Sequence, residues 1–222
     1  MAEDIRISKK LMNIFKTTED HKKFWEKRKI NWDDSYLKTW DHPHRFMISD
    51  ILSRLNWISL VEVGCGGGAN LKNIVSRLPG KQIGGIDINP EAIELCNNTF
   101  KGGMFKVGSG EDIMLSDNST DVVLSDMALI YVGPRKINKY INEIKRIGRK
   151  YALFCEFHSG SWWNRLALRF NSGYNAYNYR KLLSKHGFYD IMVEKIPEKA
   201  WPGGNPQKTF GFIIVAKIPK IK

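Results

Sequence analysis

The chain has 222 residues, 42% of them hydrophobic and 26% charged. That is enough for one α/β domain with its own core and gives no reason to expect disorder. No apolar run reaches the length of a membrane span, and Met1-Ala2-Glu3-Asp4 opens nothing like a secretion signal. Three cysteines (Cys65, Cys96, Cys155) without CxxC or zinc spacing read as free thiols of a reducing compartment, so a cytoplasmic location and no metal centre are expected. The net charge of +12 admits anionic partners such as nucleic acid, acidic lipid or phosphorylated small molecules. The densest basic group, Arg135, Lys136, Lys139, Lys145, Arg146, Arg149 and Lys150, does not keep to one narrow helix face, which favours a solvated helix over a nucleic-acid surface.

In chain order, residues 1–45 set Leu11, Ile14, Phe15, Phe24 and Trp25 among many charges, as amphipathic helices do. Membrane-surface contact is the sharper alternative for this segment, but Glu3, Asp4, Glu19, Asp20 and Glu26 dilute its basic face. Asp41-His42-Pro43-His44-Arg45 marks a helix entry, with Phe46, Ile48, Ile51, Leu52 and Leu55 as the apolar face. From residue 58 strands and helices alternate. Strands are expected near 58–63, 82–87, 104–107, 121–126 and 150–157, and helices near 69–78, 90–98, 134–147 and 177–186. This alternation argues for a parallel sheet covered on both faces. Two further runs, 189–196 and 210–217, joined through a loop holding Trp201 and no helix, read as an antiparallel hairpin. Ser159–Tyr177 is rich in aromatics and carries Arg165 and Arg169, the composition of a substrate lid beside a site.

The segment Val61-Glu62-Val63-Gly64-Cys65-Gly66-Gly67-Gly68-Ala69 is a strand, a glycine turn and a helix start. Glycines admit a ligand close to the backbone, and free N–H groups at a helix start hydrogen-bond it. Gly64-x-Gly66-x-x-Ala69 also fits a dinucleotide fingerprint. Glu62 argues against that, because a carboxylate at the strand end repels a pyrophosphate and suits a ligand carrying a sulfonium and an ammonium. Asp87 closes the second strand about 20 residues after the glycines, where a mononucleotide-binding unit places the carboxylate for ribose hydroxyls.

These residues resemble the class I S-adenosylmethionine-dependent methyltransferases over roughly residues 55–222. Glu62–Gly68 resembles that family's first motif, Gly85-Ile86-Asp87-Ile88-Asn89 its second, Gly108-Ser109-Gly110-Glu111-Asp112-Ile113 its adenine-binding segment, and Asp121–Met127 its fourth strand. The resemblance is to the quinone and small-molecule branch. It implies a Rossmann-like, doubly wound α/β fold with a mostly parallel seven-stranded sheet, a C-terminal antiparallel hairpin and an N-terminal helical cap (1–45) on the methyltransferase domain (46–222). It implies S-adenosylmethionine as cofactor, held by Glu62, Gly64, Cys65, Gly66, Asn70, Asp87, Ile88, Ser109, Gly110, Glu111, Asp126 and Met127. The branch usually carries Asp where this chain has Ser109, so the adenine amino contact passes to the Ser109 hydroxyl or Glu111, with the Gly110 N–H also in reach.

Strand ends gather the polar residues at one rim, as a site of an open α/β sheet requires. Methyl transfer is mostly proximity and orientation, and a hydroxyl or ammonium acceptor must also lose a proton. His158, Asp126 and Tyr131 are the expected catalytic residues, with His42 and His44 as further candidates from the cap. The expected acceptor is an oxygen, nitrogen or carbon atom of a small metabolite, anionic or aromatic. An RNA or nucleotide methyltransferase, a non-catalytic S-adenosylmethionine-binding module and an NAD(P) oxidoreductase are the competing readings. No RNA-binding appendage is visible in the sequence.

Overall fold

A computed structural model describes residues 17–201 and 206–219. The expected positions of Leu11, Ile14 and Phe15, and most of the loop after Trp201, lie outside the described residues. Seven strands form one sheet in the order β3-β2-β1-β4-β5-β7-β6: β1 (Ser59–Val63), β2 (Gln82–Asp87), β3 (Met104–Val107), β4 (Thr120–Asp126), β5 (Gly148–Phe157), β6 (Tyr189–Lys195) and β7 (Gly211–Lys217). The first five run parallel. β7 enters antiparallel beside β5 and is itself paired antiparallel with β6. The sheet is the one expected, and its strand bounds fall within a residue or two of those read from the sequence.

The helices are α1 (Thr18–Glu26), α2 (Trp32–Ser35), α3 (Pro43–Ser53), α4 (Ala69–Arg77), α5 (Pro90–Thr99), α6 (Ile137–Ile147), α7 (Trp162–Ser172), α8 (Tyr179–Lys185) and α9 (Gln207–Phe210). Their starts follow local chemistry. Thr17 and Asp20 form a reciprocal capping box at α1, and the Asn89 side chain caps α5 with Pro90 in its first turn. Along α6 the buried Ile137, Tyr140, Ile141, Ile144 and Ile147 repeat at helical spacing. Most of the basic group around α6 is engaged inside the molecule: Lys136 with Glu111, Arg146 with Glu143 and Asp117, and Arg149 and Lys150 with Asp121.

Successive residues of the central strands feed opposite faces of the sheet. Leu60, Val122, Leu124 and Leu153 pack with Leu52, Leu71 and Ile74 on one side. Val61, Val63, Val123 and Phe154 pack with Ile141 and Ile144 on the other. Burial on both faces explains why these strands read as near-continuous apolar runs. β1 pairs with β2 on one side and β4 on the other, so the sheet order reverses there. A crevice opens beyond the carboxyl ends of the strands at such a reversal.

Candidate active site

The glycine turn after β1 has the geometry its composition implies. Gly64 sits at φ +78°, and a Cβ there would lie 2.4 Å from the Ala128 Cβ, so both its conformation and its surroundings require glycine. The Gly66 N–H donates to Asp87 Oδ2 at 2.8 Å and the Asn89 N–H donates to Asp87 Oδ1 at 2.9 Å. These two bonds fix the carboxylate at the end of β2 and leave each oxygen further acceptor capacity. Burial nevertheless raises the Asp87 carboxyl above its ordinary value.

An open cleft of about 960 Å³ runs over this turn. Gly64, Gly66, Asp87, Ile88, Ser109 and Gly110 line its sheet side, and Thr18, Lys22, Trp25, Trp32 and Tyr36 line the opposite side. The N-terminal helices thus close over the strand ends. Several bonds hold them. The Thr18 hydroxyl accepts the Gly133 N–H at 2.9 Å. The Asn89 amide donates to the Trp25 carbonyl at 2.8 Å and the Arg28 carbonyl at 2.9 Å. The Trp25 and Trp32 indole N–H groups are buried without a partner among the described residues, and both side chains face the cleft. Ser109 Oγ lies 3.3 Å from the Tyr140 hydroxyl.

Glu111 is placed differently from the sequence expectation. Its carboxylate binds Lys22 at 2.6 Å and Lys136 at 3.1 Å and is not among the residues lining the cleft. The hydrogen bond from Lys22 outweighs burial and lowers its pKa. In this geometry it ties α1 to the loop after β3, while Ser109 and Gly110 line the cleft.

A second cavity adjoins the first at Tyr36, Gly64, Gly66, Asp126, Met127 and Tyr131. Glu62, Cys65 and Asn70 line it from the glycine turn, and His44, Arg45, Tyr174 and Trp201 from other elements. One buried polar chain crosses it. The Asn70 amide donates to Glu62 Oε1 at 2.6 Å and to Asp126 Oδ2 at 2.9 Å, while its oxygen accepts from Arg45 at 2.7 Å. Arg45 also reaches Asp126 Oδ2 at 3.2 Å, and His44 Nε2 stands 3.4 Å from the same oxygen. The His44 ring stacks on Trp201 at 4.7 Å, and its Nδ1 is buried with no partner among the described residues.

The two carboxylates titrate in opposite directions. Burial pushes Glu62 up to about 8 despite its Asn70 bond, and its Oε2 has no partner among the described residues. Burial acts on Asp126 too, but the charges of His44 and Arg45 outweigh it and hold the carboxyl well below the usual range. Asp126 is therefore a poor proton acceptor; it anchors the Arg45 guanidinium and lies beside the His44 ring. Burial raises the Tyr131 phenol far above its ordinary value, so it stays protonated and serves as a hydrogen-bond donor or apolar wall.

Met127 adopts φ +54°, uncommon for a residue with a side chain, and lines both cavities. Glu156, pushed up to about 8 by burial, braces that turn: its Oε1 accepts from the Ser125 hydroxyl at 2.8 Å and from the Ala128 and Leu129 N–H groups at 3.0 Å each.

His158 stands apart from this assembly. Its Nδ1 accepts the Tyr179 N–H at 3.2 Å, its ring packs 4.9 Å from Phe212, and it lines neither cavity. His42 occupies the N-cap position of α3 without a side-chain cap bond and also lies outside them. Of the 159–177 insertion, Tyr174 reaches the second cavity, while Tyr177 anchors to the Val132 carbonyl. The sequence reading missed Arg45, Trp32 and Tyr36. Only tertiary packing brings α2 and the start of α3 against the glycine turn, and no local spacing announces it.

Residues 61–155 match the family described as methyltransferase domain. Over 39% of this chain, and 38% of its own length, the polyamine aminopropyltransferase of Neisseria meningitidis is 28% identical; the chain thus spans about two fifths of that relative. Geranyl diphosphate C-methyltransferase from Streptomyces coelicolor, solved with geranyl diphosphate and S-adenosyl-L-homocysteine, superposes with a TM-score of 0.65 at 12% identity, covering 91% of this chain and 98% of that one. A chain from the Haloferax volcanii complex containing the Trm112 methyltransferase activator superposes with a TM-score of 0.63 at 18% identity, covering 82% and 92%.

Proposed function

We propose that this chain, whose residues 61–155 match the methyltransferase domain, is a class I S-adenosylmethionine-dependent methyltransferase that methylates an oxygen or nitrogen of a small metabolite with His44 as general base. The buried chain from Glu62 through Asn70 and Asp126 to His44 carries this reading. When bound, the cofactor supplies an electrophilic methyl on a sulfonium.

The residues fit such a ligand. Asp87 keeps lone pairs for ribose hydroxyls, and Ser109 and Gly110 edge the adenine end. The unpartnered Oε2 of Glu62 offers a buried negative charge to the α-ammonium. Trp25, Trp32 and Tyr36 line the cleft opposite the glycine turn and give the ligand an aromatic wall. His44 Nε2 stands 3.4 Å from Asp126 Oδ2, a placement that favours the tautomer with its proton on Nε2 and leaves Nδ1 to take a proton. Tyr131, Tyr174 and Trp201 form apolar walls that orient an acceptor toward the methyl group. Asp126, expected as a base, becomes in this reading the residue that positions one.

The test is transfer of labelled methyl to a metabolite extract by the intact chain and by His44→Gln. The reading requires labelled product from the first and a loss of ~100-fold or more in the second, with cofactor affinity retained. Equal turnover in the two removes His44 from the chemistry.

A further inference from the structure

The exposed side of α7 is the apolar side. Trp162, Trp163, Leu166 and Phe170 all lie open to solvent, Trp162 at 53% and Trp163 at 64% exposure. At 3.6 residues per turn these four positions fall within an arc of about 100°. Leu168, on the opposite side of the helix, is buried in a small cluster with Ile130, Phe157 and Ala176. An amphipathic helix buries its apolar stripe; here a second stripe faces outward with nothing over it among the described residues. The two indoles stack on one another at 3.8 Å.

Arg165 and Arg169 border this arc, and α7 contains no acidic residue. Phe24 on α1 is exposed as well and has the Arg28 guanidinium 5.0 Å from its ring centre, with Lys23, Lys27 and Lys29 close in sequence. Phe24, Arg28, Ser172 and Tyr174 line a third cavity, and its wall residue Tyr131 belongs to the first two cavities also. The carboxyl end of α7, at Ser172, and the exposed Phe24 of α1 thus meet at one cavity, which continues through Tyr131 to the other two.

We infer that the α7 face, with Phe24 of α1, docks this protein on an anionic lipid bilayer. The chemistry selects that occupant. Tryptophan suits the headgroup boundary, where its ring is apolar and its N–H stays wet. Arg28 and the lysines near Phe24 meet acidic headgroups, joined by the remaining N–H groups of Arg165 and Arg169, which also donate to Ser159, Gly160 and Asn175. The net charge of +12 acts in the same direction. A second copy docking through the same face would bring Arg165 and Arg169 against their own equivalents, which repels. The inference does not depend on which residue takes the proton or on which acceptor is used.

Sedimentation with vesicles tests it, using the full chain, phosphatidylcholine vesicles and vesicles in which one lipid in three is phosphatidylglycerol. The chain is expected to pellet with the anionic vesicles at low salt and to remain largely in solution with the neutral ones. W162A/W163A/F170A, all at exposed positions, is expected to keep the wild-type circular dichroism spectrum and to bind ~10-fold or more weakly. The single variant W163A serves if the triple one does not fold, with a smaller loss. Brominated acyl chains are expected to quench tryptophan emission of the wild type and not of W162F/W163F. Failure to bind anionic vesicles overturns the inference. So does equal binding by wild type and variants, which would show net charge acting alone. A concentration-dependent dimer abolished by W163A, without vesicle binding, would assign the face to protein contact instead.

Discussion

Lowering the pH from 7.5 to 5.5 should weaken binding of S-adenosylhomocysteine by ~100-fold, about 3 kcal/mol at 1.36 kcal/mol per pH unit, through one residue. Glu62 is fully buried and its carboxyl is pushed up to about 8, so in the free protein it is mostly protonated at neutral pH. A ligand ammonium beside Oε2 requires the ionised form. Binding therefore releases a proton, and each pH unit below about 8 lowers the apparent affinity ~10-fold. The window stays below the pH at which the ligand's own ammonium titrates. Calorimetry in buffers of different ionisation enthalpy reads both quantities: the affinity at each pH and the proton released on binding at pH 7. Glu62→Gln should bind more weakly at pH 7.5 and show a slope close to zero. Parallel slopes in the two proteins, or binding without proton release, would refute the placement of the ammonium at Glu62.

Asp87→Ala should lose ~10–100-fold in cofactor affinity, about 1–3 kcal/mol, through the ribose hydroxyl bonds, measured by the same calorimetry. Asp126→Asn should lower kcat by ~100-fold or more while leaving the cofactor affinity within a few-fold, because its charge anchors His44 and Arg45; stopped-assay kcat and KM values check the split. Glu62 and Glu156 should make the unligated chain less stable as pH rises from about 4.5 to about 8. Both are raised in the folded state, so over that window each binds more protons folded than unfolded and contributes a negative slope, against which the lowered His42, His158 and His186 contribute a positive one. Urea midpoints across the range check the sign, and Glu156→Gln should flatten part of it. Any nucleic-acid binding should be weak and vanish near physiological salt, as filter binding across a salt series would show, because most of the basic group around α6 is already paired.

The sheet was legible because its signals are local. The short, near-continuous apolar runs of the strands, the Gly64–Gly68 turn and the Asn89-Pro90 helix start each lie within a few residues. Glu62 and Asp87 were legible for the same reason: a strand end fixes where its last side chain goes. The second cavity was not. Glu111 was read toward the adenine because it follows Gly110. Its partner Lys22 is 89 residues away, and no spacing rule anticipates that pair. His158 follows β5 directly, yet the fold returns α8 and β7 around it, where Tyr179 and Phe212 enclose the ring. His44 was read as a residue that either orients a helix start or faces the pocket. The pairing with Asp126, 82 residues later, gives it a candidate role, and only the packing of α3 against the end of β4 brings the two together.

A crystal structure with S-adenosylhomocysteine bound tests the central claim most directly. The account predicts the ribose on Asp87, the ammonium within hydrogen-bond distance of Glu62, the adenine edge by Ser109 and Gly110 beneath Trp25 and Trp32, and the sulfur facing the space between His44, Tyr131 and Tyr174. A ligand whose ammonium lies away from Glu62, or whose sulfur faces away from that space, would contradict it.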